Sequence, residues 1–176
     1  MGRQAFLGEE SQRKSQMPKI HPFLWFDTEA EAAANFYVSI FPSSEVLGIA
    51  RYGPGAPGPE GSVMTVDFEL DGMRVTALNG GPHFSFSEAV SFVIDCQDQA
   101  EVDDYWDKLM DGGQASQCGW LKDRFGFSWQ VVPRQLAETI GGPDPEGRKR
   151  AMAAMMQMVK LDVAKLREAY EGRAAP

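Results

Sequence analysis

The chain has 176 residues, 43% hydrophobic and 24% charged, a length and composition typical of one globular domain. Its formal net charge of −8 provides no basic face for nucleic acid, and an anionic membrane would repel it. No apolar run reaches the roughly 20 residues of a membrane span, and the N-terminus lacks the apolar segment of a secretory signal. We therefore expect a cytoplasmic protein without nucleic-acid or membrane partners, in which Cys96 and Cys118 stay reduced.

The first half of the chain has the pattern of a strand, a helix and three strands, after a predicted disordered tail at residues 1–16. Helical spacing of alanine and aromatic residues predicts a helix over residues 29–40, with Asp27 or Thr28 as its N-cap. Gly and Pro predict a loop over residues 53–61, and Asp71-Gly72 predicts a hairpin turn. The predicted strands are residues 20–26, 45–52, 63–70 and 73–78.

The second half repeats this element order and then becomes helical. Its predicted strands are residues 89–96, 114–118, 120–122 and 127–132, with a helix between the first two. Helices are predicted over residues 133–140, 146–159 and 163–170, with Asp162 as the last N-cap. The spacing of Met152, Met155, Met156 and Met158 favours packing over a flexible binding groove.

This element order predicts the α+β class and an internal duplication of about 70 residues. Residues 17–135 are the predicted paired βαβββ domain, and residues 136–176 are a C-terminal helical extension of the same domain.

Side-chain alternation along the strands places most of the candidate polar residues on one sheet face. Leu24 and Phe26 are assigned to the core, so that Phe23 and Trp25 point to the opposite, polar face. Two interpretations are open: a solvated face, as antiparallel sheets often have, or a cleft that binds a ligand. The two aromatic side chains favour the cleft. The predicted pocket residues are His21, Phe23, Trp25, Asp67, Thr76, Ser91, Asp95 and Gln130.

Several stretches resemble the vicinal-oxygen-chelate (glyoxalase/bleomycin-resistance) superfamily. His21-Pro-Phe-Leu-Trp-Phe, followed by Ala34-Asn-Phe-Tyr, is similar to its opening strand and helix. Asp123-Arg-Phe-Gly-Phe-Ser-Trp-Gln is similar to its closing hairpin. Residues 79–92 and 118–133 together resemble the PhnB-like branch, often labelled 3-demethylubiquinone-9 3-methyltransferase. The resemblance implies two βαβββ units that form a curled mixed sheet.

The resemblance also implies metal ligands on the first and fourth strands of each unit. Those positions hold His21, Thr76, Ser91 and Gln130. Neutral hydroxyls are poor metal ligands, so we expect no tightly bound metal and no cofactor. If a metal binds, His21 and Gln130 are its expected ligands. We expect all four side chains to lie within a few ångströms of each other, with a second chain able to contribute part of the site.

Three further positions have a structural and a functional interpretation. Cys118 is either a packed strand residue or a thiol activated by nearby Lys122 and Arg124. Asp123 and Arg124 brace the closing hairpin, although Arg124 is also able to bind a carboxylate. His83 is either a turn residue or a ligand.

The function that the sequence favours is binding of a small molecule in the concave cleft of the sheet, and catalytic residues are not identified. One alternative is a metal-dependent glyoxalase-like lyase, isomerase or dioxygenase. Another is the methyltransferase of the family label. S-adenosylmethionine typically needs a Gly-rich turn before a helix, but the Gly-rich residues 53–61 join two predicted strands. The resemblance further implies a homodimer, and the methionine-rich helices offer apolar surface to cover.

Overall fold

The structure, a computed structural model, describes residues 19–173, so the tail predicted for residues 1–16 lies outside the described residues. The chain divides into two compact units, the first ending at Phe84 and the second beginning at Ser85. Each unit contains one βαβββ motif around its own four-stranded sheet. The predicted α+β class and its two βαβββ units are confirmed.

The first unit packs one helix against a mixed sheet. Its elements are β1 (Phe23–Phe26), α1 (Ala30–Ile40), β2 (Glu45–Arg51), β3 (Val63–Leu70) and β4 (Met73–Asn79). The sheet order is β1-β4-β3-β2, with β1 parallel to β4 and the other pairs antiparallel. Alanines on α1 let the helix approach the sheet closely. Tyr37 packs against Phe68 there, at 6.3 Å between ring centroids.

The N-terminus of α1 corrects one prediction, because neither Asp27 nor Thr28 caps it. The N-cap position is Glu29, whose side chain makes no capping hydrogen bond. Asn79, at the end of β4, instead accepts a hydrogen bond from Ala30 N through Oδ1 at 2.8 Å. A residue 49 positions away in sequence thus satisfies a helix N–H that local capping residues usually satisfy.

The second unit has the same sheet arrangement, followed by three helices within the described range. Its sheet order is β5-β8-β7-β6, with β5 parallel to β8. Trp129 and Leu121 form its core together with Val102, Trp106 and Leu109 of α2. The elements are β5 (Ser91–Cys96), α2 (Gln99–Leu109), β6 (Gln114–Ala115), β7 (Trp120–Lys122), β8 (Ser128–Pro133), α3 (Gln135–Ile140), α4 (Pro145–Met155) and α5 (Val163–Glu171).

Strand β6 is shorter than predicted, and Cys118 is not a strand residue. The chain turns between Ser116 and Trp120, where Ser116 N donates to Trp120 O at 2.8 Å. Cys118 has a φ of 59°, outside the strand region. Its backbone N–H donates to Met158 O at 2.8 Å instead of to a sheet partner.

Two of the four methionines that were predicted to pack are not packed within the chain. Met152 and Met156 are 42% and 49% exposed, so they leave apolar surface uncovered within the chain. Met155 and Met158 are partly buried. Asp162 does cap α5 as predicted, since its side chain accepts from Lys165 N at 3.0 Å.

The closing hairpin is braced as predicted by Asp123 and Arg124. The Asp123 carboxylate is 3% exposed and accepts hydrogen bonds from Phe125 N, Phe127 N and Trp129 Nε1, at 2.8, 3.1 and 2.8 Å. The Arg124 guanidinium donates to the backbone oxygen and the carboxylate of Asp111. Both side chains therefore make contacts that hold the hairpin in place.

None of the helices in residues 19–173 combines the length and the apolar character that crossing a bilayer requires.

Candidate functional site

A three-residue hydrogen-bond chain lies on the polar face of the first unit. His21 precedes β1, and the adjacent Pro22 O accepts from Thr76 N of β4 at 3.1 Å, which brings the two side chains together. His21 Nε2 lies 3.1 Å from Thr76 Oγ1. The Thr76 hydroxyl donates to Asp67 Oδ1 on β3. Three of the predicted pocket residues are therefore in contact.

The direction of these bonds assigns the His21 tautomer. Because the Thr76 hydroxyl hydrogen is used toward Asp67, Thr76 Oγ1 must accept from His21 Nε2–H. The remaining ring nitrogen, Nδ1, then carries the lone pair of the neutral imidazole. His21 can thus accept a hydrogen bond from a ligand through Nδ1.

Arg74 is a site residue that the sequence did not identify. Its guanidinium lies 3.3 Å from Asp67 Oδ2, so the Asp67 carboxylate has a cationic partner on the same sheet. Only the pairing of β3 with β4 brings these two residues together, since strand alternation does not give the register. The pair lowers the ability of Asp67 to attract a metal cation.

The second unit holds a corresponding pair. Gln130 Nε2 of β8 donates to Ser91 Oγ of β5 at 2.9 Å. Both side chains are half-buried, whereas Asp95, further along β5, is exposed. The structure gives the contacts within each unit, His21 with Thr76 and Ser91 with Gln130. That all four side chains share one locus stays a prediction.

Phe23 and Trp25 flank the first cluster on the predicted face. Phe23 is 57% exposed. Trp25 Nε1 donates to Gly81 O at 2.8 Å, and its ring packs edge-on against Phe84 at 5.0 Å. A Cβ at Gly80 would lie 2.2 Å from the Trp25 ring, so only glycine lets the loop after β4 cover this side chain.

The donor set does not fit a tight metal site. Thr76 and Ser91 offer neutral hydroxyls that are already hydrogen-bonded, and Gln130 offers an amide. Among residues 19–173, no three His, Cys, Asp or Glu side chains lie close enough together to hold a metal ion. His83 is exposed in its loop, where its N–H donates to Gly81 O at 2.9 Å.

The thiols differ in environment. Cys96 is buried, and that burial, with the nearby Glu101 and Asp95 carboxylates, raises its pKa to about 12. Cys118 is partly exposed, with its Sγ 3.7 Å from Met156 Sδ and 3.6 Å from Met155 O. No base or cation is among these sulfur contacts to support the nucleophile interpretation.

A continuous polar row crosses all four strands of the second unit. Gln114, Lys122, Ser128 and Ser91 are successive Cα partners from β6 through β7 and β8 to β5. Lys122 and Ser128 line a cavity of about 260 Å³ on this row. This cavity depends on strand register, which the residue pattern of the strands does not predict. Cavities of about 760 and 530 Å³ elsewhere are lined by other residues.

Comparison with protein families matches residues 18–132 to 3-demethylubiquinone-9 3-methyltransferase. The chain is 34% identical to a PhnB protein of Bacillus cereus, described as a candidate 3-demethylubiquinone-9 3-methyltransferase, with a TM-score of 0.61. The match covers 66% of this chain and 99% of that one. A search of curated proteins found no match.

One more distant structure also shares the fold. Protein PA1353 of Pseudomonas aeruginosa is 19% identical, with a TM-score of 0.55 over 66% of this chain and 98% of that one. The fosfomycin resistance protein FosX of Mesorhizobium loti is 11% identical, with a TM-score of 0.48 over 66% and 90%. The chain thus belongs to the 3-demethylubiquinone-9 3-methyltransferase family, the PhnB-like branch of the vicinal-oxygen-chelate superfamily.

Proposed function

We propose that the chain binds a small organic molecule on the polar face of its sheets, without a tightly bound metal. One observation supports this most: the four positions that the superfamily uses for ligands hold two side-chain pairs, His21–Thr76 and Ser91–Gln130. These groups can exchange hydrogen bonds with an organic ligand. They include no carboxylate that would attract a cation.

The aromatic side chains indicate the apolar part of the ligand. Phe23 exposes 57% of its surface beside the His21 cluster, and Trp25 is partly exposed. Ligand sites typically combine apolar or aromatic walls with a few fixed polar groups. A ligand with an aromatic or unsaturated body and one hydrogen-bonding group suits this arrangement.

Titration with uncharged aromatic probes, phenol and benzyl alcohol, tests this proposal by ¹⁵N NMR. We expect the backbone amides of Phe23, Trp25 and Thr76 to shift, and His21→Ala to weaken binding by about tenfold. His83→Ala is the comparison variant, because the second histidine lines a separate cavity of about 530 Å³ beside Gly81; weaker binding in that variant would place the probe there instead. If neither probe shifts these amides up to its solubility limit, the proposal is wrong.

Thermal unfolding with Zn²⁺, Ni²⁺ and Mn²⁺ tests the metal-dependent alternative. A ligand at 100 times its dissociation constant adds about 2.7 kcal/mol, which raises Tm by roughly 5–10 °C for a chain of this size. We expect no metal to reach this shift. A shift of that size that His21→Ala abolishes would establish a metal site and a metalloenzyme as the better interpretation.

The methyltransferase alternative is tested by calorimetry with S-adenosylmethionine. In the structure, the Gly- and Pro-rich residues 53–61 connect β2 to β3, so no helix N-terminus follows them. We expect no binding at micromolar cofactor concentrations. Micromolar affinity would instead support the activity in the family description.

We also propose that the chain forms a homodimer. Met152, Met156 and Val159 expose between 42% and 49% of their surfaces on the second unit. Exposed apolar side chains near one another favour association. Closed twofold dimers are the commonest assemblies of identical chains.

A further inference from the structure

The hydroxyl of Ser128 is buried at the polar row of the second unit. Ser128 is 1% exposed, and its Oγ has no hydrogen-bond partner among the residues that the structure describes. Its neighbour Ser91 is already bonded to Gln130. Because buried hydroxyls almost always have a partner, Ser128 is equipped to bond a group that enters the adjacent cavity.

A cationic group lines the same cavity. The Lys122 ammonium lies 2.6 Å from Glu88 Oε1. That hydrogen bond lowers the pKa of the Glu88 carboxyl, which is therefore ionised at neutral pH. The ammonium has three N–H donors and uses one for Glu88, so two N–H donors remain for a ligand. Glu88 is more exposed than Lys122, with 64% against 34% of its side chain accessible, and can move away from it.

The remaining lining residues include two further polar side chains and one aromatic ring, beside Ala115 and Leu121. Gln114 and Ser116 add an amide and a hydroxyl, and Trp120 lies beside them. The volume of about 260 Å³ is below that of a typical drug-sized pocket, so a small ligand suits it. The Lys122–Glu88 pair is neutral overall, and the whole chain has a net charge of −8. A ligand with one negative charge therefore suits this cavity better than a ligand with two.

We propose that this cavity binds the carboxylate of a small organic acid, with Lys122 Nζ and Ser128 Oγ as its donors. The inference rests on the proposed small-molecule function and specifies the ligand class on the second unit's sheet. Glu88 competes with the ligand for Lys122 and is displaced when the acid binds.

The test compares benzoate with benzamide, its uncharged counterpart of the same shape, by ¹⁵N NMR of the full chain. We expect benzoate to shift the Lys122 and Ser128 amides and the Trp120 indole. Benzamide should bind at least about tenfold more weakly. Inorganic phosphate, which carries more negative charge, should also bind more weakly than benzoate. Tighter phosphate binding, or equal binding of benzoate and benzamide, would overturn the carboxylate assignment.

Variants identify the groups involved. Lys122→Met should reduce benzoate affinity by about tenfold or more, and Ser128→Ala by about three- to tenfold. Lys108→Met, which removes an ion-paired lysine of α2, is the matched control and should change nothing. Glu88→Gln should strengthen benzoate binding several-fold, because it frees Lys122. A purely structural Lys122–Glu88 pair would give weaker or unchanged binding in that variant.

Failure of this inference is distinguishable from failure of the proposed function. If phenol binding depends on His21 but benzoate gives no shift at Lys122, the carboxylate pocket is wrong and the broader proposal stands. If benzoate binds through Lys122 while phenol and benzyl alcohol shift none of the Phe23, Trp25 and Thr76 amides, the carboxylate pocket stands and the proposed site around His21 is wrong.

Discussion

Asp123 is a single residue that holds the closing hairpin together. Its buried carboxylate accepts three hydrogen bonds, one of them from the indole of Trp129 in the core of the second unit. Asp123→Ala removes both acceptor oxygens, and with them all three hydrogen bonds, and leaves the buried indole N–H without this partner. We expect the free energy of unfolding to fall by about 3 kcal/mol in urea denaturation.

Asp95→Ala is the control for Asp123→Ala, since Asp95 is exposed and should change stability by less than about 0.5 kcal/mol. Asp123→Asn should be intermediate, because its amide oxygen still accepts hydrogen bonds. A loss below about 0.5 kcal/mol in Asp123→Ala would contradict the bracing role.

Cys96 makes the free energy of unfolding depend on pH in the alkaline range. Burial raises its pKa from an ordinary value of 9.0 to about 12, so the folded state keeps the proton after the unfolded state has lost it. The stabilisation that the buried, protonated Cys96 thiol contributes is therefore complete below pH 9 and is lost as the pH rises toward 12. The free energy of unfolding should fall by up to about 1.4 kcal/mol per pH unit in that range.

Urea denaturation between pH 7 and 10.5 measures this slope. Cys96→Ala should flatten the decline, whatever its effect on stability at pH 7. Cys118→Ala is the control variant, because it removes the other thiol of the chain. Equal slopes in wild type and Cys96→Ala would assign the alkaline dependence to other groups.

At the scale of elements, the start of α1 depends on β4. Asn79 Oδ1 accepts from Ala30 N, while Asn79 Nδ2 donates to Val63 O at 3.1 Å, so one side chain joins the helix to two strands. Asn79→Ala should lower the free energy of unfolding by about 1–2 kcal/mol. Thr28→Ala, at the position where the sequence predicted a cap, should change it by less than about 0.5 kcal/mol. Thermal or urea unfolding of both variants decides which residue caps the helix.

Local chemistry made some elements predictable from the sequence, and tertiary contacts decided the others. The β3–β4 hairpin was predictable because Asp71 and Gly72 adopt φ values of 47° and 82°, the positive values that Asp-Gly turns favour. The cap of α1 was not, because Asn79 lies 49 residues from Ala30. Strand β6 ended early because the backbone of Cys118 pairs with Met158, a contact that no local pattern encodes.

The same division applies to the candidate site. Alternation was sufficient to place His21, Thr76 and Asp67 on one face, since side-chain direction has a period of two residues. The pairing of Arg74 with Asp67 and the cavity beside Lys122 depend on strand register and on side chains that cross from neighbouring strands. Candidate residues could therefore be named from the sequence, but not their partners.

At the scale of the whole molecule, both units place a hydrogen-bonded pair between equivalent strands. His21, two residues before β1, contacts Thr76 of β4, and Ser91 at the start of β5 contacts Gln130 of β8. In each unit these are the first and fourth strands, which run parallel side by side. The duplication of element order thus also repeats the position of the polar pair, although the residues differ.

The homodimer is the prediction that concerns the whole molecule. Met152 and Met156 lie one helical turn apart and are both more than 40% exposed, so glutamates there would place two charges in an apolar contact. We expect light scattering at micromolar concentration to give about twice the chain mass of 19.4 kDa for wild type, and the chain mass for Met152→Glu/Met156→Glu. Lys108→Glu on α2 changes the net charge by the same amount and should stay dimeric. A monomeric wild type would contradict the dimer, whereas a dimeric double variant would place the interface away from these methionines.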